Sequence, residues 1–371
     1  MVDALYARLD GELRSIRARD QWRDLRPPQG YDFCSNDYLN LARHPQIVAS
    51  AKKALEIEGY GSSSSRFIRG DRQTIHSLEV KLARFKRCDR ALLFSSGYAA
   101  NVGSLSSLIK KDDLVFSDQL NHASIIDGLR LSRARIHIFP HLQVDELRRQ
   151  LGHAPTNVVK FLVTESLFSM DGDIAPLDKY AQLARDFNLA LVVDEAHALG
   201  LYGKRGSGLI NQFGVEGAVT LSVNGLGKAF GCYGAFVAGS KTVIDYVTQS
   251  ARTSMYSTAL PPLAISAIDV ALGLIEDGDR LRAHLFHNVS WFKELLPKAC
   301  VNTVSPIIPM VIGDNKRTLD IAAHLLSAGF DVKAIRPPTV QAHKARLRIT
   351  TNLSHSDELI KRFVQHLRGL L

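Results

Sequence analysis

The stretch TLSVNGLGKAFGCYGAFVAGS, residues 220–240, sets one lysine, Lys228, among glycines, small residues and apolar residues. A buried ammonium is costly unless it is paired or its pKa falls. A lysine with a lowered pKa is a nucleophilic amine of the kind that forms Schiff bases. Taken alone, the residue reads equally well as a side chain snorkelling to water from a loop. A second run, LALVVDEAHALG, ends an apolar segment in Asp194 and Glu195, with His197 close behind. A carboxylate at the end of a buried strand needs a cationic partner, so the run signals either a strand-end salt bridge or a site. Three more groups follow apolar runs: Ser96-Gly97-Tyr98 at a helix start, His122 in SDQLNHASIIDG, and Glu165 with Ser169 in TESLFSMDGD. Exposed N–H groups and the dipole at a helix start suit an anion such as phosphate. A lone histidine after a strand is more often structural than functional.

As a set, these residues supply what pyridoxal 5'-phosphate requires: an amine for its aldehyde, an acid for its ring nitrogen and donors for its phosphate. Lys228 is then the imine-forming amine and Asp194 the group that keeps the ring nitrogen protonated. The glycines around the lysine would let the cofactor approach the backbone.

Such groups gather at the carboxyl ends of strands in an open α/β sheet. RALLFSSG, DLVFSD, RIHIFPH, VVKFLVTES, LALVVDEAH, AVTLSVN and GAFVAGS all read as strands, several of them apolar almost throughout, as strands covered on both faces are. LDKYAQLARDFN between two of them is an amphipathic helix. The alternation predicts an α/β large domain, a mostly parallel sheet between helices, over 45–260. Two long helical patterns, IIPMVIG, a further helix, FDVKAIRPPTV and ARLRITT predict a smaller α+β C-terminal domain over 261–371. Residues 1–44 read as a helix and an extended arm.

The chain has 371 residues, 46% of them hydrophobic, enough for a large core. No apolar run reaches the ~18 residues of a membrane span, and the charged amphipathic N-terminus lacks the apolar core of a signal peptide. The four cysteines are scattered without a CxxC, which points to a reducing, cytoplasmic setting with neither a disulfide framework nor a metal site. The net charge of +9 suits acidic small molecules. It is spread along the chain without a dense basic block, so neither nucleic acid nor membrane is expected as a partner.

The segments SNDYLNL, GSSSSRFIRG, FSSGYAAN, NHASIIDG, FSMDGDIAPL, VVDEAHALGLYGKRGSG, GLGKAFGCYGA, MYSTALPP and AIRPPTVQAHKARLRIT together resemble the α-oxoamine synthases, fold-type I PLP-dependent transferases, over nearly the whole chain. SMDGDIAPL and AIRPPTV are most similar to the biotin-pathway branch of that family. The resemblance implies decarboxylative condensation of an amino acid with an acyl thioester carried on coenzyme A or on a carrier protein. It implies Lys228 as the Schiff-base lysine, Asp194 as partner of the ring nitrogen, His197 near the phenolic oxygen and His122 stacked on the ring. Gly97 and Tyr98 match the phosphate turn, and Ser169 a polar contact to the cofactor. Arg348 matches the residue that grips the amino-acid carboxylate, a task suited to a bidentate guanidinium. Arg23, Asn36 and Thr339 match substrate contacts. Thr258 in YSTAL matches a donor to the phosphate of a partner subunit, which implies a homodimer with a shared active site.

Three positions depart from the family pattern. Gly225 stands where a threonine or serine usually donates to the phosphate, and Asn224, Ser222 or water are the available replacements. Gln341 and His343 stand where proline and glycine are usual, in a loop expected near the acyl thioester. Ala198-Leu199 replaces a small or hydroxyl pair. Rival readings are another acyl-thioester specificity within the family, a weakly catalytic PLP-binding protein, and a basic nucleic-acid binder that merely uses the fold.

Overall fold

The computed structural model describes residues 2–297, 300 and 303–371. Its strands are β1 (Tyr31–Asp32), β2 (Arg90–Phe94), β3 (Leu114–Asp118), β4 (Arg135–Phe139), β5 (Lys160–Glu165), β6 (Leu189–Asp194), β7 (Val219–Gly225), β8 (Ala235–Gly239), β9 (Ile307–Gly313), β10 (Phe330–Asp331), β11 (Lys333–Ile335) and β12 (Ala345–Thr350). The chain forms two compact units, one of residues 37–169 and 173–283, the other of residues 1–36, 170–172 and 284–371.

The larger unit holds a seven-stranded sheet in the order β2-β8-β7-β6-β5-β3-β4. β8 runs against both its neighbours, and β3 to β7 pair in parallel, so β2 to β7 all end at one edge. Each of the seven apolar runs singled out in the sequence forms one of these strands. β3, β5, β7 and β8 are buried along almost their whole length, which is why they read as continuous apolar runs. β4, at the edge opposite β2, stays exposed up to Phe139.

Helices Gly97–Leu108, Ala123–Ser132 and Lys241–Ser250 lie on one face. Their Leu105, Ile125 and Val247 pack against Val163, Val192, Val223 and Val237 of the strands. Side chains alternate between faces along a strand, so Glu165, Asp194 and Gly225, two residues beyond those valines, sit on the same face at the sheet's carboxyl edge.

The smaller unit contains the antiparallel sheet β11-β12-β9 and the parallel pair β1-β10. Phe33, Phe292, Ile308, Phe330, Leu347 and Phe363 form its core, with Phe33 and Phe363 stacked at 4.2 Å. The units divide at 36/37 and 283/284, whereas the sequence suggested 44/45 and 260/261. The reason is packing. Helix Pro262–Glu276 lies against helix Pro45–Glu58 of the larger unit, and residues 1–36 join the C-terminal residues through β1 and β10. Among the described residues, no helix is long and apolar enough to cross a membrane.

Candidate active site

Lys228 sits in a tight turn after β7, closed by Gly231 N donating to Lys228 O at 2.8 Å and Cys232 N to Leu226 O at 3.0 Å. Gly231 has φ of +60°, and a Cβ there would lie 2.2 Å from Ala42 N, so the turn depends on glycine to pass the backbone at 41–42. The glycines around the lysine therefore serve the turn as well as any ligand. Only Gly227 among them is exposed.

Asp194 ends β6 with 7% of its surface exposed. Its Oδ2 accepts from Asn101 Nδ2 at 2.7 Å and its Oδ1 from Ala196 N at 2.8 Å. Each carboxyl oxygen thus has its own N–H donor. Asn101 Nδ2 also donates to Ser124 Oγ at 3.0 Å, and Ser124 Oγ lies 2.8 Å from His122 Nδ1. A buried polar bridge thus joins His122 to Asp194.

His122 caps the helix Ala123–Ser132, its Nδ1 accepting from Ser124 N. With Nδ1 an acceptor, the ring is neutral and its proton is on Nε2. Desolvation lowers its pKa, the nearby Lys228 charge adds to this, and Asp194 opposes it. Glu165 is fully enclosed in the same group, and the charges of both Asp194 and Lys228 act on it. The structure therefore gathers Lys228, Asp194, His122 and Glu165 into one electrostatic unit.

Ser96 Oγ caps the helix Gly97–Leu108 by accepting from Ala99 N at 3.1 Å. The first N–H groups of a helix have no intrahelical partner, and nothing lies within 4 Å of a Cβ placed on Gly97. That leaves open room beside an anion-binding terminus. Tyr98 is half exposed, hydrogen-bonded through its OH to Asp127 and edge-on to His122 at 6.4 Å. His197 is buried, with Nδ1 2.7 Å from Tyr38 OH. Ser169 lies partly buried in the loop after β5. Thr258 is exposed and lines a small cavity with Ser95 and Arg66.

Glu195, one residue past Asp194, has a different task. Its Oε2 meets Lys86 Nζ, its Oε1 accepts from Ile210 N at 2.9 Å, and Lys86 Nζ also donates to Ser207 O at 2.6 Å. The strand-end salt bridge is therefore real but belongs to Glu195, while Asp194 is held by neutral donors. Asn224 and Ser222 do not replace the hydroxyl missing at Gly225. Asn224 Nδ2 donates to Ser222 Oγ at 3.0 Å and Ser222 Oγ to Ala238 O at 3.4 Å. Strand alternation turns both to the face opposite Gly225. Ala198 and Leu199 are fully buried, so that departure fills core.

In the smaller unit, Arg348 on β12 donates to Asn36 Oδ1 at 2.9 Å and to Thr350 Oγ1 at 3.0 Å. Its neighbour along the strand, Arg346, is matched by Asp171 at 2.6 Å. Arg23 Nη2 donates to Thr339 Oγ1 at 3.0 Å. Arg336 ties down that arm through Asp20 O at 2.6 Å and Trp22 O at 3.1 Å. The structure thus pairs Arg348 with Asn36 and Arg23 with Thr339. Gln341 and His343 lie in an exposed turn between β11 and β12, His343 with φ of +60°.

Tyr38, Asn101, Ser124 and Arg336 had no assigned role in the sequence. The first three stood inside SNDYLNL, FSSGYAAN and NHASIIDG, whose polar residues at buried spacing were the available signal.

A sequence model described as aminotransferase class I and II matches residues 28–367. The chain belongs to this family. It is an α-oxoamine synthase within it, a PLP-dependent acyltransferase. It is 43% identical over 365 residues to an 8-amino-7-oxononanoate synthase of Methylococcus capsulatus, covering 94% of each chain. A serine palmitoyltransferase from S. paucimobilis, solved with a PLP–myriocin aldimine bound, superposes with a TM-score of 0.88 at 28% identity, over 91% of this chain and 86% of that one. An 8-amino-7-oxononanoate synthase from Francisella tularensis gives 0.79 at 31% identity, over 92% and 97%. The fold is that of these enzymes.

The residues present fit the cofactor of this α-oxoamine synthase. An amine follows β7, a hydrogen-bonded carboxyl group ends β6, a neutral imidazole lies near both, and a helix start with free space beside it follows β2.

Proposed function

We propose that the enzyme condenses L-alanine with a pimeloyl thioester, on coenzyme A or a carrier protein, to give 8-amino-7-oxononanoate, CO₂ and free thiol, a step of biotin biosynthesis. The observation that carries the chemistry is the Asp194 carboxylate. It is buried, it accepts from Asn101 Nδ2 and the Ala196 N–H, and it and Lys228 both act on Glu165 and His122. The pimeloyl preference rests on the relatives named above.

Bound pyridoxal phosphate supplies an aldehyde for the amino group and a ring that takes up electron density from Cα. Asp194 would hold the ring N–H and keep it positive. Neutral His122 would lie on the ring face without adding charge, and His197, oriented by Tyr38 OH, would donate toward the phenolic oxygen. Gly97, Tyr98 and Ser169 would hold the phosphate end. Lys228 Nζ would take the Cα proton of alanine and later return one. Arg348, fixed by Asn36, is proposed as the carboxylate anchor until CO₂ leaves, and Arg23 with Thr339 as contacts to the acyl substrate. Loss of CO₂ makes the sequence effectively irreversible. A homodimer in which Thr258 donates to the partner's phosphate site, working in the cytoplasm, completes the proposal.

The test is a matrix of alanine, glycine and serine against pimeloyl, acetyl, succinyl and palmitoyl thioesters, read by thiol release and product mass. Alanine with pimeloyl thioester should dominate. Preference for serine with a long acyl chain, or for glycine, would move the enzyme to another branch of the family. The Gln341–His343 turn is where such a difference would be sought.

A further inference from the structure

Two carboxyl groups meet at the carboxyl edge of the sheet. Glu165 ends β5 and Asp194 ends β6, and the two residues are direct partners in the parallel ladder. In such pairs both side chains leave the same face, so Glu165 and Asp194 project side by side. Glu165 is 4% exposed. Their hydrogen-bond supplies differ sharply. Asp194 receives Asn101 Nδ2 and the Ala196 N–H, one on each oxygen. Glu165 Oε1 is buried without a partner, and the backbone N–H of His122 is the donor that acts on its carboxyl. Like charges at this separation oppose double ionisation, and the better-solvated partner keeps the charge.

We propose that Glu165 is held as a neutral carboxylic acid and acts as a positioning residue, leaving Asp194 the one anion that Lys228 and the bound cofactor must answer. The groups around it agree. Burial and the negative charges of Asp194 and Asp118 favour its protonated form, while Lys228 and the His122 N–H oppose them without prevailing. The His122 imidazole contributes no balancing charge, being neutral. A second anion here would raise the proton affinity of Lys228 and disfavour the free amine that must take a proton from Cα. Protonated Glu165 removes that penalty and keeps an O–H donor inside the site.

The sequence placed Glu165 after a strand but assigned it no task. Its role in catalysis rests on Lys228 being the cofactor's lysine, whereas its protonation state does not. Two measurements separate these. First, a wild-type-minus-E165Q infrared difference spectrum of the cofactor-free enzyme is recorded near pH 7, where an ordinary glutamate of pKa about 4.3 is ionised. It should show loss of a protonated-carboxyl C=O stretch. Loss of carboxylate stretches instead overturns the proposal. Should E165Q fold poorly, ¹³C-glutamate labelling of the wild type reads the same band, which must be present and must shift. Second, the cofactor absorbance of the loaded enzyme is titrated with pH. Glutamine mimics the neutral acid, so E165Q should move the midpoint by no more than a few tenths of a unit. A fall of about one to three units, the effect of deleting a nearby charge, refutes it. The infrared measurement needs no cofactor and decides the protonation state even if Lys228 proves not to be the imine lysine.

Discussion

Asn101 Nδ2 lies 2.7 Å from Asp194 Oδ2, across 93 positions of sequence. Asn101 is 3% exposed and spans from Asp194 to Ser124. Removing it strips a buried carboxylate of a charge-assisted hydrogen bond, worth about 1.5–3 kcal/mol. Asn101→Ala should weaken cofactor binding by about one to two orders of magnitude, measured by absorbance titration of the apoenzyme. Ser124→Ala touches His122 but not Asp194 and should cost less. An unchanged cofactor affinity in Asn101→Ala would show that Asp194 does not rely on this bridge.

Lys228 and Asp194 should separate cleanly by substitution. Lys228→Ala should lose the cofactor's imine absorbance and turnover together, since no other amine in the group replaces its Nζ. Turnover retained in that variant ends the proposal for Lys228. Asp194→Asn preserves the shape and an acceptor for the Ala196 N–H at 2.8 Å, so the fold should persist. Cα proton exchange of alanine, followed by NMR in deuterated water, should slow by orders of magnitude. Equal exchange rates would mean that Asp194 does not sustain the ring's charge.

Gly225 offers a gain-of-function test. It lies on the Asp194 face of β7, where a hydroxyl could serve the phosphate, and neither Asn224 nor Ser222 can turn to help. A Cβ at this position would lie 3.1 Å from Ala196 Cβ, tight but relieved by a small shift. A new hydrogen bond to a charged group is worth about 1.5–3 kcal/mol, and the crowding takes back part of it. Gly225→Ser should therefore tighten cofactor binding several-fold, measured by equilibrium dialysis. No change would indicate that the phosphate is already fully served.

The strands and the motif residues were legible because they are local. Continuous apolar runs reveal buried strands, and the groups just beyond β2, β3, β5, β6 and β7 reveal an edge where chemistry collects. What orients those groups was not legible, because the partners are distant in sequence. Tyr38 meets His197 across 159 positions and Asn36 meets Arg348 across 312. Periodicity says that a strand exists but not which helix covers its end, so Asn101 looked like any polar residue on a helix. The acidic pair Asp194-Glu195 shows the same limit. Glu195 forms a buried salt bridge with Lys86, whereas Asp194 accepts only from neutral N–H donors, and the position of Lys86 tells them apart.

That salt bridge should be costly to break and cheap to remove. Lys86 and Glu195 side chains are 4% and 0% exposed. Lys86→Met leaves an uncompensated buried carboxylate and should destabilise the fold by about 3–5 kcal/mol, read from urea denaturation. Lys86→Met with Glu195→Gln removes both charges yet keeps an acceptor for Ile210 N, and should recover most of the loss. A double variant no better than the single one would place the cost in packing of the Lys86 stem.

His141 gives the fold a pH dependence of defined sign. Its Nδ1 lies 2.8 Å from Asp118 Oδ1 and its Nε2 3.0 Å from Asp173 Oδ2. Although burial works against the charged ring, the two carboxylates prevail and raise its pKa from 6.5 to about 10. The folded state therefore holds this proton more tightly than the unfolded state. The resulting stabilisation is complete below about pH 6.5, declines as pH rises because the unfolded state has already released its proton, and is gone above about pH 10. The clamp holds the loop after β5, which carries Ser169, to the ends of β3 and β4. His141→Gln should lower stability most just below about pH 6.5 and least at high pH, so the wild-type and variant curves of unfolding free energy should converge as pH climbs toward 10. Parallel curves across that range would show that the ring is not charged between its two carboxylates.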